Sequence, residues 1–435
     1  MALNTIIMSI AALYDIYLLH PQIQTDTRKL KAGEIFFALK GENFNGNTFA
    51  KHALEVGAAA VIIDEKEYYI NEKTILVDDV LTTLQALAKH HRMQFTIPFL
   101  AITGSNGKTT TKELMNAVLS KKYKTYCTFG NLNNHIGVPL TLLGIKKDAE
   151  FAIIEMGANH QHEIEGYCQY AMPTHVLINN CGKAHLEGFG GIEGVRKGKG
   201  ELYDYAVNYN CIVFRNTDLD YLQQMATDRG ITNEITYGSS NAQYVGKPID
   251  NTGLIDLAVI TPGLETIMQT QLVGDYNFAN IIGAVAVGRT FDVPMNDIKA
   301  ALQEYTPSNS RSQLIKQGSN TIILDAYNAN PTSMRAAIEN FAKADYANKI
   351  IMIGGMWELG AESIAEHQQI VQLLQQWNWN DVVLVGGDFA HTQHSYIYLP
   401  SNAEAKEWLE NRKPENTAIL IKGSRATAME KVLAL

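Results

Sequence analysis

Phe99-Leu-Ala-Ile-Thr103 runs without a break into Gly104-Ser-Asn-Gly-Lys-Thr-Thr110, and this stretch decides the fold. An apolar run of strand length gives way to a turn of small residues and then to a helical pattern, the order found where an α/β sheet meets a phosphate. Gly104, Ser105, Asn106 and Gly107 are small enough for their backbone N–H groups to wrap an anion. The helix N-terminus that follows adds free donors and a favourable dipole. Lys108 is spaced to reach the β- and γ-phosphates and Thr109 to place its hydroxyl on Mg²⁺, with Thr110 ending the motif. Position 102 is Ile and the loop is two residues shorter than the full GxxxxGKT pattern, so the alternative is an ordinary Gly-rich strand–helix turn. The adjoining Lys-Thr-Thr favours phosphate binding.

The same strand–turn–helix order recurs on both sides of this loop. Downstream, Phe151–Glu155, His175–Asn179 and Cys211–Phe214 read as strands, most of them followed by helical patterns, which is the signature of a parallel α/β sheet. Upstream, Glu34–Leu39, Ala59–Ile63 and Thr74–Val77 read as strands, with helices over Phe49–Val56 and Leu81–Met93. A Pro/Ser/Asn stretch, Tyr305–Ser310, marks a boundary. Beyond it four units open with Thr321–Asp325, Lys349–Ile353, Asp381–Val385 and Thr417–Ile421, with Pro331 suited to a first helical turn. The expected organisation is α/β in three domains, 1–96, 97–307 and 308–435, the last Rossmann-like. Residues 239–271 are strand-rich and carry no evident chemistry.

A length of 435 residues agrees with several domains at about 150 residues each. A net charge of −9 argues against a nucleic-acid partner, and 19% charged residues are too few for a disordered chain. Cys127, Cys168, Cys181 and Cys211 form no CxxC pair, which points to a reducing compartment, the cytoplasm. Met1–His20 is apolar, yet no Lys or Arg precedes Arg28 and Asp15 interrupts the run. A packed helix is expected there, with neither export nor membrane insertion.

Several side chains are candidates for chemistry. Glu155 ends a buried-looking strand, as a Mg²⁺ ligand would. His185 follows the strand ending at Asn179 and is a candidate metal ligand, with Glu187 as its outer partner. Asn159-His-Gln-His162 lacks a third zinc ligand at suitable spacing and reads as a solvated loop. Composition alone makes the basic run Val195–Leu202 a solvated face. At the strand ends of the third domain, Asp325, Asn328, Asn330 and Arg425 suit a nucleotide or a carboxylated substrate, the alternative being loop capping by Asx residues.

Taken in order, these motifs resemble the Mur ligase family over essentially the whole chain. The family-wide features are the loop 103–110, Glu155, His185 and the lysine of Gly198-Lys199-Gly-Glu-Leu202. Further matches are Asn131-Leu-Asn-Asn134 with Gly137-Val-Pro-Leu140, Ala184-His-Leu-Glu-Gly-Phe-Gly190, Asp325-Ala-Tyr-Asn-Ala-Asn-Pro331, Met356-Trp-Glu-Leu-Gly360 and Lys422-Gly-Ser-Arg425. The resemblance implies a small α/β domain holding a UDP substrate, a central P-loop-type ATPase domain and a C-terminal Rossmann-like domain. The implied activity is ATP-dependent amide ligation through an acyl phosphate. It joins D-alanyl-D-alanine to UDP-N-acetylmuramoyl-tripeptide to give the pentapeptide precursor of peptidoglycan.

The same resemblance implies ATP, two Mg²⁺ ions and CO₂ carried as a carbamate on Lys199. Lys108, Glu155, His185 and Lys199 are then the catalytic set, with Thr109 on one metal and Glu155, His185 and Lys199 around the other. Asn280 matches a nucleotide-contacting asparagine, and Arg311 and Asp325 match residues that close the third domain onto ATP. Thr25, Asp26, Thr27 and Arg28, together with Lys40-Gly41, match the segment that holds the uridine nucleotide. Asn45, Asn47, His162 and Gly355 depart from the family's usual Asp, His, Gly and Asp. The expected protein is a monomer acting on small molecules. Two alternatives are a sibling Mur or folylpolyglutamate-type ligase with another amino-acid acceptor, and a non-catalytic nucleotide-binding protein.

Overall fold

The computed structural model describes residues 8–249, 254–261, 264–307 and 310–433. The chain packs as two compact units, one of Met1–Ala101, Tyr123–Gly157 and Ile164–His175, the other of Ile102–Lys122, Ala158–Glu163 and Val176–Leu435.

The first unit contains a four-stranded sheet in the order Ile23–Gln24, Ile35–Phe37, Ala60–Ile63, Thr74–Leu76, with all neighbours parallel. Its two middle strands are buried along their whole length, which is why they read as unbroken apolar runs. The helix Val80–Arg92 starts where the Asp79 side chain accepts from Thr82 N–H, and it carries Lys89, His90, His91 and Arg92 in its last turn, favourable for the helix dipole. The expected N-terminal helix is present over Ile10–Leu19, with Leu13, Tyr14 and Tyr17 buried; residues 1–7 of that expectation lie outside the described residues. Tyr14 Oη bonds His91 Nδ1 at 3.0 Å, and His91 Nε2 bonds the Ile145 carbonyl at 2.8 Å. This unit also holds the parallel strand pair Thr125–Cys127 and Phe151–Glu155.

Six strands of a nine-stranded sheet lie in the second unit, in the order Leu264–Val273, Leu254–Thr261, Tyr244–Ile249, Glu234–Gly238, Ile212–Asn216, His175–Ile178. The described strands within and beyond the stretch 239–271, Tyr244–Ile249, Leu254–Thr261 and Leu264–Val273, pair antiparallel and extend that sheet. A six-stranded sheet follows in the order Gln313–Gln317, Asn320–Asp325, Ala418–Lys422, Lys349–Gly354, Asp381–Val385, Ile397–Leu399. Its four middle strands are the four expected ones, and all pair in parallel. Its two edge strands were not expected. Gln313–Gln317 is a half-exposed antiparallel edge and Ile397–Leu399 is only three residues long, so neither carries the apolar run that marks a buried strand. The fourth unit ends in a short 3₁₀ turn, Met429–Val432. Residues 308 and 309 of the expected boundary lie outside the described residues. Among the described residues, no helix is long and apolar enough to cross a membrane.

Candidate active site

The phosphate loop is built as its glycines require. Gly104 and Gly107 have φ of +150° and +79°, and Gly107 caps the helix Lys108–Leu119. A Cβ on Gly107 would come within 2.7 Å of Asn280 Oδ1, so the loop has no room there for a side chain. Ser105 Oγ donates to the Gly182 carbonyl at 2.8 Å, and Ser105 N–H donates to the Asn180 carbonyl at 3.0 Å. Asn106 N–H donates to Asn180 Oδ1 at 2.9 Å. Lys108 Nζ folds back to the Gly104 carbonyl at 2.7 Å. Thr109 is buried, Thr110 half-buried.

Beneath the loop, Asn280 is 7% exposed and its Oδ1 accepts from Thr111 Oγ1 at 3.0 Å. Asn179 Nδ2 donates to the same hydroxyl at 2.8 Å. Asn179 was not among the sequence candidates; its place straight after a strand, opposite the loop, was the signal available.

Lys199 overturns the expectation of a solvated basic face. It lies on the helix Ile192–Tyr209 and is 1% exposed, flanked by the buried Gly198 and Gly200. A Cβ on Gly198 would strike the Phe189 ring at 2.5 Å, so glycine lets that ring pack over the helix. Burial, reinforced by the Lys108 charge, pushes the Lys199 ammonium down to about 7, and Nζ donates to the Ala158 carbonyl at 3.2 Å. Cationic neighbours on the same run, such as Lys197, remain at the surface.

His185 stands at the start of the short helix Leu186–Phe189 with φ of +53°. The carboxylate against its Nδ1 is that of Glu358, which it holds below the usual carboxylate range, and not Glu187. In the first unit, Glu155 is 1% exposed at the end of its strand; its Oε1 accepts from Asn133 Nδ2 at 2.8 Å, and its N–H donates to Thr128 Oγ1. Among the described residues no three His, Cys, Asp or Glu gather as a metal site. The candidate set of hydroxyl, carboxylate, imidazole and lysine is a different combination, and His160 and His162 stay exposed as a surface loop.

The turn after Asn320–Asp325 gathers the remaining third-domain candidates. Lys422 Nζ, 1% exposed, donates to Asp325 Oδ2 at 2.5 Å and to the Asn328 carbonyl at 3.3 Å, while Ser312 N–H donates to Asp325 Oδ1 at 3.1 Å. The Arg311 guanidinium stacks 3.6 Å from the Tyr327 ring centroid, and Arg425 lies 5.5 Å from the same ring. Arg311 Nε is buried with no hydrogen-bond partner among the described residues, as suits a cation awaiting an anionic ligand. Asn330 caps the helix Pro331–Lys343 and also donates from Nδ2 to Asn106 Oδ1 at 2.7 Å, which ties this turn to the phosphate loop. Lys183 adds two further ties, its N–H donating to Thr332 Oγ1 at 2.9 Å and its Nζ to the buried Glu366 at 2.5 Å.

The uridine-side candidates lie in the first unit. Thr25, Asp26 and Thr27 are half-buried, whereas Arg28 is exposed and clasps Asp26 through Nε and Nη2 at 2.9 and 2.7 Å. That clasp holds the Asp26 carboxyl down to about 2. Gly41 sits in an exposed hairpin with Phe44–Asn45. Asn45 and Asn47, two departures from the family pattern, hold each other: Asn47 N–H and Nδ2 donate to Asn45 Oδ1, and Nδ2 also donates to Asp64 Oδ1 at 2.8 Å.

A Gly-rich strand–helix loop tied through Asn106 and Asn330 to the turn of a Rossmann-like domain fits the ATP-dependent ligases of the Mur type. The chain belongs to the Mur ligase family. It matches the family descriptions "Mur ligase family, catalytic domain" over residues 21–92, "Mur ligase middle domain" over 102–288 and "Mur ligase, glutamate ligase domain" over 310–425. The UDP-N-acetylmuramoyl-tripeptide–D-alanyl-D-alanine ligase of Haemophilus influenzae is 33% identical over 95% of this chain and 92% of its own. That of Escherichia coli is 35% identical over 94% and 92%. Among solved structures, MurF from Acinetobacter baumannii superposes with a TM-score of 0.86 at 29% identity, covering 95% of this chain and 92% of its own. MurF from Thermotoga maritima in complex with ADP gives 0.85 at 26%, covering 95% and 96%.

Proposed function

We propose that this chain joins D-alanyl-D-alanine to UDP-N-acetylmuramoyl-tripeptide at the expense of ATP, acting as a monomer on small-molecule substrates. Residues 1–96 hold the UDP end, 97–307 the ATP and 308–435 close over it. The observation that carries this reading is the hydrogen bond between Asn106 and Asn330, which brings the nucleotide loop and the Asp325–Pro331 turn to one place.

In the reaction, the terminal carboxylate of the tripeptide takes the γ-phosphoryl group and ADP leaves. The amine of the dipeptide then attacks the acyl carbon, a C–N bond forms and phosphate departs. The difficulty is the approach of two anions. The N-terminus of the helix that Gly107 caps and the Lys108 ammonium offset that repulsion, and Arg311, whose Nε has no hydrogen-bond partner among the described residues, adds a second cation. Asn280 holds the nucleotide side of the site. Thr25–Arg28 and Gly41 take the uridine end, and Asn328, Asn330 and Arg425 the substrate carboxylates. Asp325, fixed by Lys422, orients the closing turn.

The donors suit two Mg²⁺ ions: hydroxyl and carboxylate oxygens at Thr109 and Glu155 are hard ligands, His185 adds an imidazole, and a Lys199 amine near 7 has a neutral fraction able to take up CO₂. When bound, the metals supply charge neutralisation at the transferring phosphoryl group. The decisive assay is phosphate release from ATP with the UDP-tripeptide, with and without D-alanyl-D-alanine. Release that requires both, with a pentapeptide product by mass, is the expected result. Release without the dipeptide would indicate a hydrolase or another amine acceptor, and bound nucleotide without release would indicate a binding protein.

A further inference from the structure

The turn Met356–Gly360 is anchored on the C-terminal sheet but delivers one side chain to the central domain. Its start is pinned from three sides. Met356 N–H donates to His367 Nε2 at 3.0 Å, Gly355 N–H donates to the Val385 carbonyl at 2.9 Å, and the Gly355 carbonyl accepts from Ser424 Oγ at 2.6 Å. From that base Glu358 reaches His185, and its Oε2 lies at ion-pair distance from Nδ1, a buried nitrogen with no other polar partner among the described residues. Both residues of this pair hold left-handed backbone, His185 at φ +53° and Glu358 at φ +62°. Such conformations are unfavourable for a residue with a side chain, and they persist where the surroundings over-determine them. The two turns also pack closely: a Cβ on Gly360 would lie 3.3 Å from that of Glu187.

We infer that Glu358 is a positioning residue for His185: by accepting the Nδ1 proton across the domain boundary, it makes Nε2 the unprotonated nitrogen available to a metal. The inference rests on the reading that His185 is a metal ligand. A carboxylate on the far nitrogen of a ligating imidazole fixes the tautomer and ring orientation and raises the basicity of the ligating nitrogen. Here that carboxylate comes from the closing domain, so His185 is set for metal only when Met356–Gly360 is docked.

The test is Mn²⁺ binding followed by electron paramagnetic resonance, on the full chain at saturating ADP, for wild type, His185→Ala, Glu358→Ala and Glu358→Gln. His185→Ala is expected to remove one Mn²⁺ site. Glu358→Ala should weaken that same site by about 10–100-fold with an unchanged melting midpoint, the usual effect of losing such an outer partner. Glu358→Gln, whose amide oxygen still accepts from Nδ1, should fall between, and it decides the matter if the alanine variant fails to fold. Loss in His185→Ala with wild-type binding in both Glu358 variants overturns the inference and leaves the metal reading intact. Wild-type binding in all variants overturns both.

Discussion

Asn330 uses both ends of one amide, its Oδ1 accepting from Ser333 N–H at 2.9 Å to cap a helix and its Nδ2 donating to Asn106 in the phosphate loop at 2.7 Å. The two roles separate by substitution. Asn330→Asp keeps the capping oxygen but turns a donor into an acceptor facing Asn106 Oδ1. It should leave the denaturation midpoint in place and raise the KM for ATP about 5-fold, the equivalent of a ~1 kcal/mol hydrogen bond. Asn330→Ala should do the same to KM and also lose roughly 1 kcal/mol of stability with the cap. Equal stability for the two variants would show that the cap contributes nothing.

Lys199 is buried at 1% exposure, donates to a backbone carbonyl and forms no ion pair among the described residues, so its ammonium is a burden on the fold. Lys199→Met removes that burden and any carbamate with it. The expected outcome is an unchanged or higher melting midpoint together with loss of phosphate release beyond the roughly 10–100-fold that an outer-partner defect gives. A fully active methionine variant would remove Lys199 from the mechanism.

Lys422 and Asp325 form a pair buried at the lysine end, with side-chain exposures of 2% and 17%. Removing the lysine alone leaves a largely buried carboxylate with the Ser312 N–H and no ion pair among the described residues. Lys422→Met should cost about 3–5 kcal/mol, the range for breaking a buried pair. The double variant with Asp325→Asn should recover part of that loss, as read from chemical denaturation.

Acid should destabilise the fold through its buried histidines. His91 and His367 are held below the usual imidazole range by burial, and His175 is pushed down to about 4. The Ile145 carbonyl can only accept, so His91 Nε2 carries the proton and Nδ1 accepts from Tyr14 Oη. The unfolded chain takes up these protons near 6.5, whereas the folded chain resists them. Stability is therefore complete above about 6.5 and falls as pH drops through that value towards the depressed ones. The denaturation midpoint should be lower at pH 5 than at pH 7.5, with a shallower slope for His91→Gln. A midpoint that rose on acidification would contradict the assignment.

Much of the scaffold was legible in advance. Phe99–Thr103, Phe151–Glu155 and Asp381–Val385 end where their residues predict, because a parallel strand covered on both faces must be apolar throughout and its polar turn is abrupt. Edge strands escape this logic, as Gln313–Gln317 shows, since one side needs no apolar cover. The turn between Phe99–Thr103 and the helix Lys108–Leu119 was legible for a similar reason: small residues followed by lysine and threonine mark the passage from a strand to a helix.

The amino-acid order by itself determined the α/β class, the Gly-rich turn between Phe99–Thr103 and its helix, and the strand ends where polar side chains collect, because each depends on neighbours within one or two turns of chain. The burial of Lys199, the partner of His185 and the meeting of Asn106 with Asn330 were decided only by the tertiary structure. Those last two asparagines stand 224 residues apart, and no local preference reaches that far. What brings them together is the packing of whole elements, which places side chains by the burial of other residues.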